Sequence, residues 1–384
     1  MTVTKPSLEL LRELSDEHVL RALMDETRLT RAELAARTGI SKPTVGESVR
    51  RLEAAGVVVD TGARTTGRGR AGSYYALADD IGCALVVSIA PESITAEIVD
   101  AHGDVVARAV EQAGRPVRPA AVTASVRQAG RQASALARGP IRLAVVSAAD
   151  PVERATGRLV SLPDAPFLVG ELSPAQVLAD LVAGPVVVDN DVNWAARAER
   201  LAAEPGSMDD FVYLYLGEGL GCAVVSDGEV RRGHGGIAGE IAHVLTAGPG
   251  GQAMAFIDVF ADLGVRHQGS TAIDVAALRT ACTGPGAAAQ AAREVLGTAV
   301  GGVISAAVAL ADPAIVVLGG GWGADPVVFE TVRAACHRLA RPVALRPALL
   351  LKDAPLTGAR AQAVRDLQSA ITKYRLTMHR DQPD

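Results

Sequence analysis

Two side chains able to do chemistry stand three residues apart in an apolar, glycine-rich stretch. The stretch reads GGIAGEIAHVLTAGPGG over residues 235–251 and contains Glu240 and His243. A spacing of three places both side chains on one face if the segment is helical. A carboxylate beside an imidazole is compatible with a metal site, a catalytic pair, a sugar-binding pair or a structural hydrogen bond. The surrounding elements must decide among these four.

A second polar group lies in the segment VVVDNDVN, residues 186–193. It reads as a buried strand followed by Asn190 and Asp191. A carboxylate at a strand end in a cleft is suited to accepting a proton from a substrate. The same residues are equally compatible with an Asx-rich turn that caps the next helix.

The composition of the chain limits the class of protein that can carry these groups. The chain has 384 residues, of which 49% are apolar, so two or three folded domains are expected. The N-terminus has charges where a signal peptide needs an apolar centre, which favours a cytoplasmic protein. The run at 295–310 is shorter than the roughly 18 residues of a membrane span, and we predict a buried helix there rather than a membrane contact.

The four cysteines are scattered without any CxxC spacing. This distribution argues against both a disulfide framework and a structural zinc ribbon. We expect all four to be reduced and mostly buried. They are Cys83, Cys222, Cys282 and Cys336.

The first eighty residues read as three helices and two strands. Apolar residues recur at helical spacing from 8 to 23. Thr30 and Glu33 form a capping box at the start of a second helix. Ser41 is the predicted N-cap of a third helix, which has a proline in its first turn and ends at Gly56. Two short helices with a glycine at the bend predict a helix-turn-helix.

A basic loop joins the two predicted strands, residues 57–60 and 73–78, and the three elements together form a wing. Residues 1–72 hold 12 Lys and Arg against 10 Asp and Glu, in a chain whose net charge is −5. In a winged helix the third helix enters the major groove of DNA, and wing arginines contact phosphate or the minor groove. The alternative is a small three-helix protein-interaction module. The predicted DNA-contacting residues are Lys42, Thr44, Glu47, Ser48, Arg51, Arg64, Arg68 and Arg70.

Beyond residue 80, short Val- and Ile-rich runs alternate with Ala-rich helical segments, which is typical of an α/β domain. Residues 85–106 and 212–233 share one pattern of strand, small-residue turn, strand and polar turn. The repeat predicts an internal duplication with two lobes facing across a cleft, where ligands of such folds tend to bind.

Several segments in one order resemble the ROK family (repressor, open reading frame, kinase). They are the winged helix ending in GRGRAG, then VVVDNDVNWAARAE, LGEGLGCAVVSDGEVRRGHGGIAGEIAHV and DPAIVVLGGGWG. The resemblance implies a winged helix-turn-helix at 1–80 and a duplicated actin-like, ribonuclease-H-like α/β domain at 81–384. We expect lobes of roughly 81–195 plus the C-terminal helix, and 196–365.

The resemblance also implies roles for individual residues. Asp191 matches the base that deprotonates the sugar 6-hydroxyl in ROK kinases, and Asn190 matches a hydroxyl contact. Glu240 and His243 match a Glu and His that bind sugar hydroxyls. Two looser matches are Asp164, where the family has Asn, and Asp258, where it has a further sugar-binding Glu. Trp194 replaces a common Ala and could stack on a sugar or narrow the pocket. The implied effector-binding residues are therefore Asp164, Asn190, Asp191, Glu240, His243 and Asp258.

Departures from the family pattern argue against metal and against kinase activity. The family's cysteine-rich zinc loop is replaced by TAGPGGQAMAF, and a lone His without thiolates is no structural zinc site. The first phosphate loop of the kinases reads SIAPES here. Pro91 has no N–H to donate, and Glu92 repels a phosphate.

We therefore predict a DNA-binding transcriptional regulator, a repressor in keeping with most such members, without enzyme activity or cofactor. Its predicted partners are double-stranded operator DNA, a sugar or sugar-phosphate effector, and further copies of itself in a dimer or tetramer. One alternative is a regulator whose sugar pocket has degenerated and answers to another ligand or to none. The other is an ATP-dependent hexose kinase with a DNA-binding head.

Overall fold

Three helices and a three-stranded sheet form the N-terminal part of the protein, which we call the head. The computed structural model describes residues 8–66, 71–112, 118–162 and 170–378. The sheet has the order β1-β3-β2 with antiparallel pairs. The elements are α1 (Leu8–Asp25), β1 (Leu29–Thr30), α2 (Arg31–Thr38), α3 (Lys42–Ala54), β2 (Val58–Arg64) and β3 (Ser73–Leu77).

The helix boundaries of the head follow the predicted caps. The Thr30 hydroxyl accepts a hydrogen bond from the Glu33 N–H at 3.2 Å, and the Glu33 carboxylate accepts one from the Thr30 N–H at 2.8 Å. The Ser41 hydroxyl accepts from the Thr44 N–H at the start of α3. Gly56 follows α3 with a φ of 69°, which a glycine adopts without strain. The predicted winged helix-turn-helix is confirmed.

The first lobe is a five-stranded sheet of order β6-β5-β4-β7-β8, in which β6, β5 and β4 are antiparallel and β4, β7 and β8 are parallel. Val- and Ile-rich strands such as β4 are buried on both faces because helices cover the sheet. The elements are β4 (Cys83–Ile89), β5 (Ser93–Val99), β6 (Val105–Gln112), α4 (Pro119–Ser134), β7 (Ile141–Ala148), α5 (Pro174–Val177), β8 (Val186–Asn190) and α6 (Asp191–Ala202).

The second lobe repeats this topology, with the order β11-β10-β9-β14-β15. As in the first lobe, three neighbouring strands, β11, β10 and β9, pair in antiparallel fashion, and β9, β14 and β15 pair in parallel. The predicted duplication is confirmed. The elements are β9 (Phe211–Leu216), β10 (Leu220–Ser226), β11 (Glu229–Val230), β12 (Leu245–Ala247), a 3-10 turn (Pro249–Gly251), β13 (Ala253–Ala255), α7 (Phe256–Asp262), α8 (Val275–Thr283), α9 (Ala287–Ala311), β14 (Ile315–Gly319), α10 (Gly320–Gly323), α11 (Pro326–Cys336), β15 (Ala344–Pro347) and α12 (Ala354–Met378).

Helix α9 is long and apolar enough to cross a membrane by length and composition. In the structure its residues Leu296, Val300 and Ile304 are buried in the apolar core of the second lobe. The apolar run is therefore a core helix of this lobe, as its glycines and interrupting polar residues predict.

Helix α12 returns to the first lobe and packs along α6, β4 and β7. Gly358 permits this approach, because a Cβ at this position would lie 2.0 Å from the carbonyl oxygen of Trp194 in α6. The predicted lobe boundary at residue 195 falls inside α6, so a boundary after Ala202 keeps that helix whole.

The same helix joins the first lobe to the head through one apolar cluster. Leu20, Leu34 and Val49 of the head belong to it together with Leu367 and Ile371 of α12. Two polar contacts flank the junction. The His102 ring nitrogen Nδ1 lies 3.0 Å from the Met24 carbonyl at the end of α1, and the Gln368 amide donates to the Ala101 carbonyl.

Candidate effector cavity and DNA-binding face

A cavity of about 120 Å³ lies between the two lobes. The turn between β4 and β5 and the end of β8 border it from the first lobe. The turn between β9 and β10 and the segment after β11 border it from the second. Its polar lining consists of Glu92, Asn190, Asp191, Tyr215, Glu218, Glu240 and His243.

The junction of β8 and α6 places two of the predicted residues in this cavity. Asn190 is the N-cap of α6, and its side-chain oxygen accepts a hydrogen bond from the Val192 N–H at 2.9 Å. Its amide nitrogen donates to the Asp150 carbonyl at 3.2 Å. Asp191 is the first residue of the helix and also accepts from the Val192 N–H. Asn190 therefore caps α6 through its side chain, and both Asn190 and Asp191 also line the cavity.

Glu240 and His243 both line the cavity, but they do not lie on a helix as expected. Residues 232–244 form a run of turns because Gly236 and Gly239 hold the chain against other backbone. A Cβ at Gly239 would lie 1.8 Å from the carbonyl oxygen of Cys222. The Cys222 N–H donates a hydrogen bond to the Gly239 carbonyl at 2.9 Å. Both glycines have positive φ values, which oppose a right-handed helix.

Two carboxyl groups of the cavity have raised pKa values. Burial is the main cause for Asp191, and the nearby charges of Glu240 and Glu92 add to it, raising its pKa to about 7. Burial raises the pKa of Glu240 to about 7 as well. Asp191 is half-buried and Glu240 is exposed towards the cavity, where the surrounding protein atoms of the two lobes replace part of the water around each carboxyl group. Each group can therefore accept or donate a hydrogen bond near neutral pH.

Behind the cavity, Asp189 anchors an ionic network that sequence reasoning missed. Its carboxylate is buried and pairs with Arg197 of α6 at 2.8 Å and with Arg232 at 3.1 Å. Arg232 follows β11 in the second lobe, so the pair joins the lobes. Asn193 also donates to Asp189 at 2.9 Å. The sequence signal that could have identified Asp189 was its place as the first acid of the polar run DNDVN, residues 189–193.

Three of the looser site predictions have other outcomes. Asp258 is exposed, pairs with Arg266 at 3.2 Å and does not line the cavity, so its predicted placement is wrong. Trp194 is buried in the first-lobe core and donates to the Val146 carbonyl at 3.0 Å, so it neither stacks on a ligand nor narrows the cavity. Asp164 lies outside the described residues.

The predicted DNA-binding face divides into exposed and buried side chains. Lys42, Thr44 and Glu47 are exposed at the start of α3. Ser48 is fully buried and donates to Asp16 of α1, so its placement on the exposed face is wrong. Arg51 is largely held by the same carboxylate at 2.7 Å, with 24% of its side chain exposed. It therefore fixes α3 against α1.

The wing carries one described arginine of the three predicted. Arg64 is exposed on β2 and pairs with Asp60 at 2.9 Å. Arg68 and Arg70 lie outside the described residues.

The described residues contain no group of three or more His, Cys, Asp or Glu side chains placed to hold a metal ion. Cys83, Cys222, Cys282 and Cys336 are each buried as free thiols.

Comparison with protein families decides the assignment of the large domain. The model of the ROK family matches residues 85–365, most of the chain. This chain belongs to the ROK family. A second model, described as winged helix-turn-helix DNA-binding, matches residues 12–59 of this ROK protein.

Individual relatives are distant. The chain is 23% identical over 241 residues to a xylose repressor of Caldicellulosiruptor bescii, a match that covers 61% of this chain and 59% of the repressor. A ROK transcriptional regulator described as a homologue of the E. coli MLC protein has a TM-score of 0.62 at 18% identity, covering 94% of this chain and 99% of that one. A ROK glucokinase of Streptomyces griseus, solved with glucose and AMPPNP, has a TM-score of 0.56 at 23% identity, covering 74% and 100%. These two structures share the fold of this ROK protein.

Proposed function

We propose that this ROK protein is a transcriptional repressor that binds operator DNA through its winged helix and a sugar-type effector in the cavity between its lobes. The packing of the winged helix and the actin-like domain in one apolar cluster carries this proposal. A head built into the core of the ligand-binding domain responds to changes in that domain. The names of the xylose repressor and of the ROK transcriptional regulator among the relatives support the same function.

The effector acts by shifting a population between two arrangements of the lobes. The two lobes meet at the cavity, and α6, which starts at Asp191, packs along α12, which packs on α1. A ligand that binds one degree of lobe closure more tightly than another changes the position of the head. A symmetric dimer then reads a pseudo-palindromic operator whose half-site spacing depends on closure.

The first test is selection of DNA duplexes from a random library by the purified protein, followed by footprinting. Two protected half-sites related by a two-fold axis are expected. A single unrepeated footprint contradicts the symmetric dimer, and no enriched sequence contradicts the DNA-binding function.

The second test addresses the effector. A thermal-shift screen against hexoses, amino sugars, pentoses and their phosphates is run beside the variant Glu240→Gln, which keeps the size of the side chain. Binding to the native state raises the melting temperature by mass action. A shift that one sugar produces in the wild type and loses in the variant supports the effector site. No shift across the panel, from a protein that still binds its selected DNA, favours a degenerated pocket.

One observation favours kinase activity as a second candidate function. Asp191 lies in the cavity with a pKa raised to about 7, which suits a general base near neutral pH. Against it, the turn between β4 and β5 consists of Ala90, Pro91 and Glu92, which offers a proline and an acid where a phosphate needs N–H donors. An assay for ADP release with Mg-ATP and the sugar panel tests this candidate, with Asp191→Ala as control. Release that depends on both sugar and Asp191 establishes a kinase.

A further inference from the structure

Four carboxylates and no lysine or arginine stand among the described residues that line the cavity. Glu92 lies in the turn between β4 and β5, and Glu218 lies in the turn between β9 and β10. These are matching turns of the two duplicated hairpins, so each lobe contributes one acid to the lining of the cavity. Asp191 and Glu240 complete the set.

The four carboxyl groups act on one shared volume. Asp191, Glu92 and Glu218 each raise the pKa of the Tyr215 phenol, after burial, which has the largest effect. Glu240 and Glu92 likewise raise the pKa of Asp191. Charge interactions fall with distance and are screened by salt, so groups that influence the same side chains lie around the same space.

This electrostatic field discriminates between classes of sugar derivative. A phosphate ester brings a charge of about −1.5 to −2 at neutral pH and needs Arg, Lys or N–H donors. The cavity offers it carboxylates instead. A ligand with one positive charge gains from every carboxylate, and an ammonium group has three donors to share between two of them.

We propose that the effector is a monosaccharide with a free, protonated amine, whose ammonium group binds between Glu92 and Glu218 while its hydroxyls contact Asn190 and Glu240. The inference rests on the proposed function and specifies the chemistry of its ligand. The cavity of about 120 Å³ is roughly ten times the 10–15 Å³ that admits a single water molecule, so it has room for a small organic ligand.

The test compares matched ligands by calorimetry at about pH 7, where amines resembling an α-amino group are mostly protonated. For the gluco, manno and galacto configurations the ligands are the parent hexose, the 2-amino sugar, the N-acetylated amino sugar and the hexose 6-phosphate. In at least one configuration the amino sugar is expected to bind about tenfold or more tightly than the other three, from charge attraction alone. N-acetylation keeps the nitrogen but removes its charge.

Two charge-removing variants locate the amine. Glu92→Gln and Glu218→Gln should each weaken binding of the amino sugar several-fold more than they weaken binding of the parent hexose. Glu330 is an exposed acid on α11 that does not line the cavity, so Glu330→Gln is the matched control and should change neither.

Each other result overturns the inference in a recognisable way. If the parent, the N-acetyl derivative or the phosphate binds as tightly as the amine, the amine assignment fails and the sugar-responsive repressor stands. If no ligand binds to protein that still recognises its selected DNA, the amine assignment and the sugar effector fail together while DNA binding stands. If neither DNA nor ligand binds, the proposed function fails as well.

Discussion

The carboxylate of Asp189, at the end of β8 in the first lobe, pairs with Arg232 of the second lobe at an oxygen-to-nitrogen distance of 3.1 Å. Only 2% of Asp189 is exposed, so this pair is shielded from solvent. Asp189 directly precedes Asn190 and Asp191 in the chain. Any change in lobe closure that moves the cavity walls must therefore act on this ion pair.

Replacing Asp189 by Asn should destabilise the protein. The variant leaves Arg197 and Arg232 partly buried without their counter-charge, and breaking such a pair costs about 3 kcal/mol in the free energy of unfolding. Urea denaturation measures the change. Glu330→Gln removes the acid of an exposed ion pair on α11 and should leave the free energy of unfolding almost unchanged. Equal effects of the two variants would mean that the Asp189 pairs contribute no more than a surface pair.

Lys42 and Arg51 should respond differently when each is replaced by Ala. Lys42 is exposed at the start of α3, so its loss should reduce the slope of log affinity for DNA against log salt by about 0.9. Arg51 is held by Asp16, so its loss should leave the slope unchanged and lower the free energy of unfolding by about 1.5–3 kcal/mol. Salt titrations of operator binding, with a thermal melt of each variant, test both. A reduced slope for Arg51→Ala would place that side chain on phosphate.

The caps and wing of the head could be predicted from sequence because they depend on neighbours a few residues away. Thr30 and Glu33 are three residues apart, and each side chain accepts a hydrogen bond from the backbone N–H of the other, so this capping box depends little on distant parts of the chain. The partner of Ser48 could not be predicted in this way. Asp16 lies 32 residues earlier, and only the packing of α1 across α3 brings it there.

The raised pKa values of Asp191 and Glu240 predict a pH dependence of stability with a definite sign. Each group binds its proton more tightly in the folded protein, where its pKa is about 7, than in the unfolded chain, where it is near 4. Their contribution to the free energy of unfolding is therefore present at acidic pH and is lost as pH rises towards 7.

Asp191→Asn should flatten this fall, because the amide does not titrate. Denaturation at several pH values between about 4 and 8 measures the difference from the wild type. Asp262→Asn, at an exposed aspartate on α7, should leave the pH profile unchanged. Parallel profiles for the wild type and Asp191→Asn would show that the carboxyl group has an ordinary pKa.

Two glycine-to-alanine variants should shift stability in opposite directions. At Gly358 the new Cβ would meet the Trp194 carbonyl oxygen at 2.0 Å, so α12 and α6 must separate and the protein loses about 1–3 kcal/mol or more. At Gly46, inside α3, nothing lies within 4 Å, and alanine should add about 0.5–1 kcal/mol by helix propensity. Thermal melts compare the two.

Gly46→Ala should also weaken operator binding if α3 lies deep in the major groove, because the added methyl group keeps the backbone away from the DNA. A variant with raised stability and unchanged affinity would place Gly46 away from the DNA surface.

The cavity was less predictable than the fold. The place of Asp191 at the start of α6 could be predicted from the motif around it, because the strand end and the helix cap are local features. The helix expected for Glu240 and His243 did not form, since Gly236 and Gly239 serve contacts with Val152 and Cys222 far away in sequence. The presence of Glu92 and Glu218 in one cavity could not be predicted, because their hairpins are far apart in sequence and come together only in the folded protein.

The apolar cluster shared by Leu20, Val49 and Leu367 has a consequence for how such regulators diversify. A head grafted from another regulator would meet an α12 whose side chains were shaped for a different α1, and it would leave apolar surface uncovered. Successful exchange of DNA specificity must then carry the matching α12 residues along with the head. Alternatively, it must be confined to exposed side chains such as Lys42, Thr44 and Glu47 of α3, which do not belong to the shared cluster.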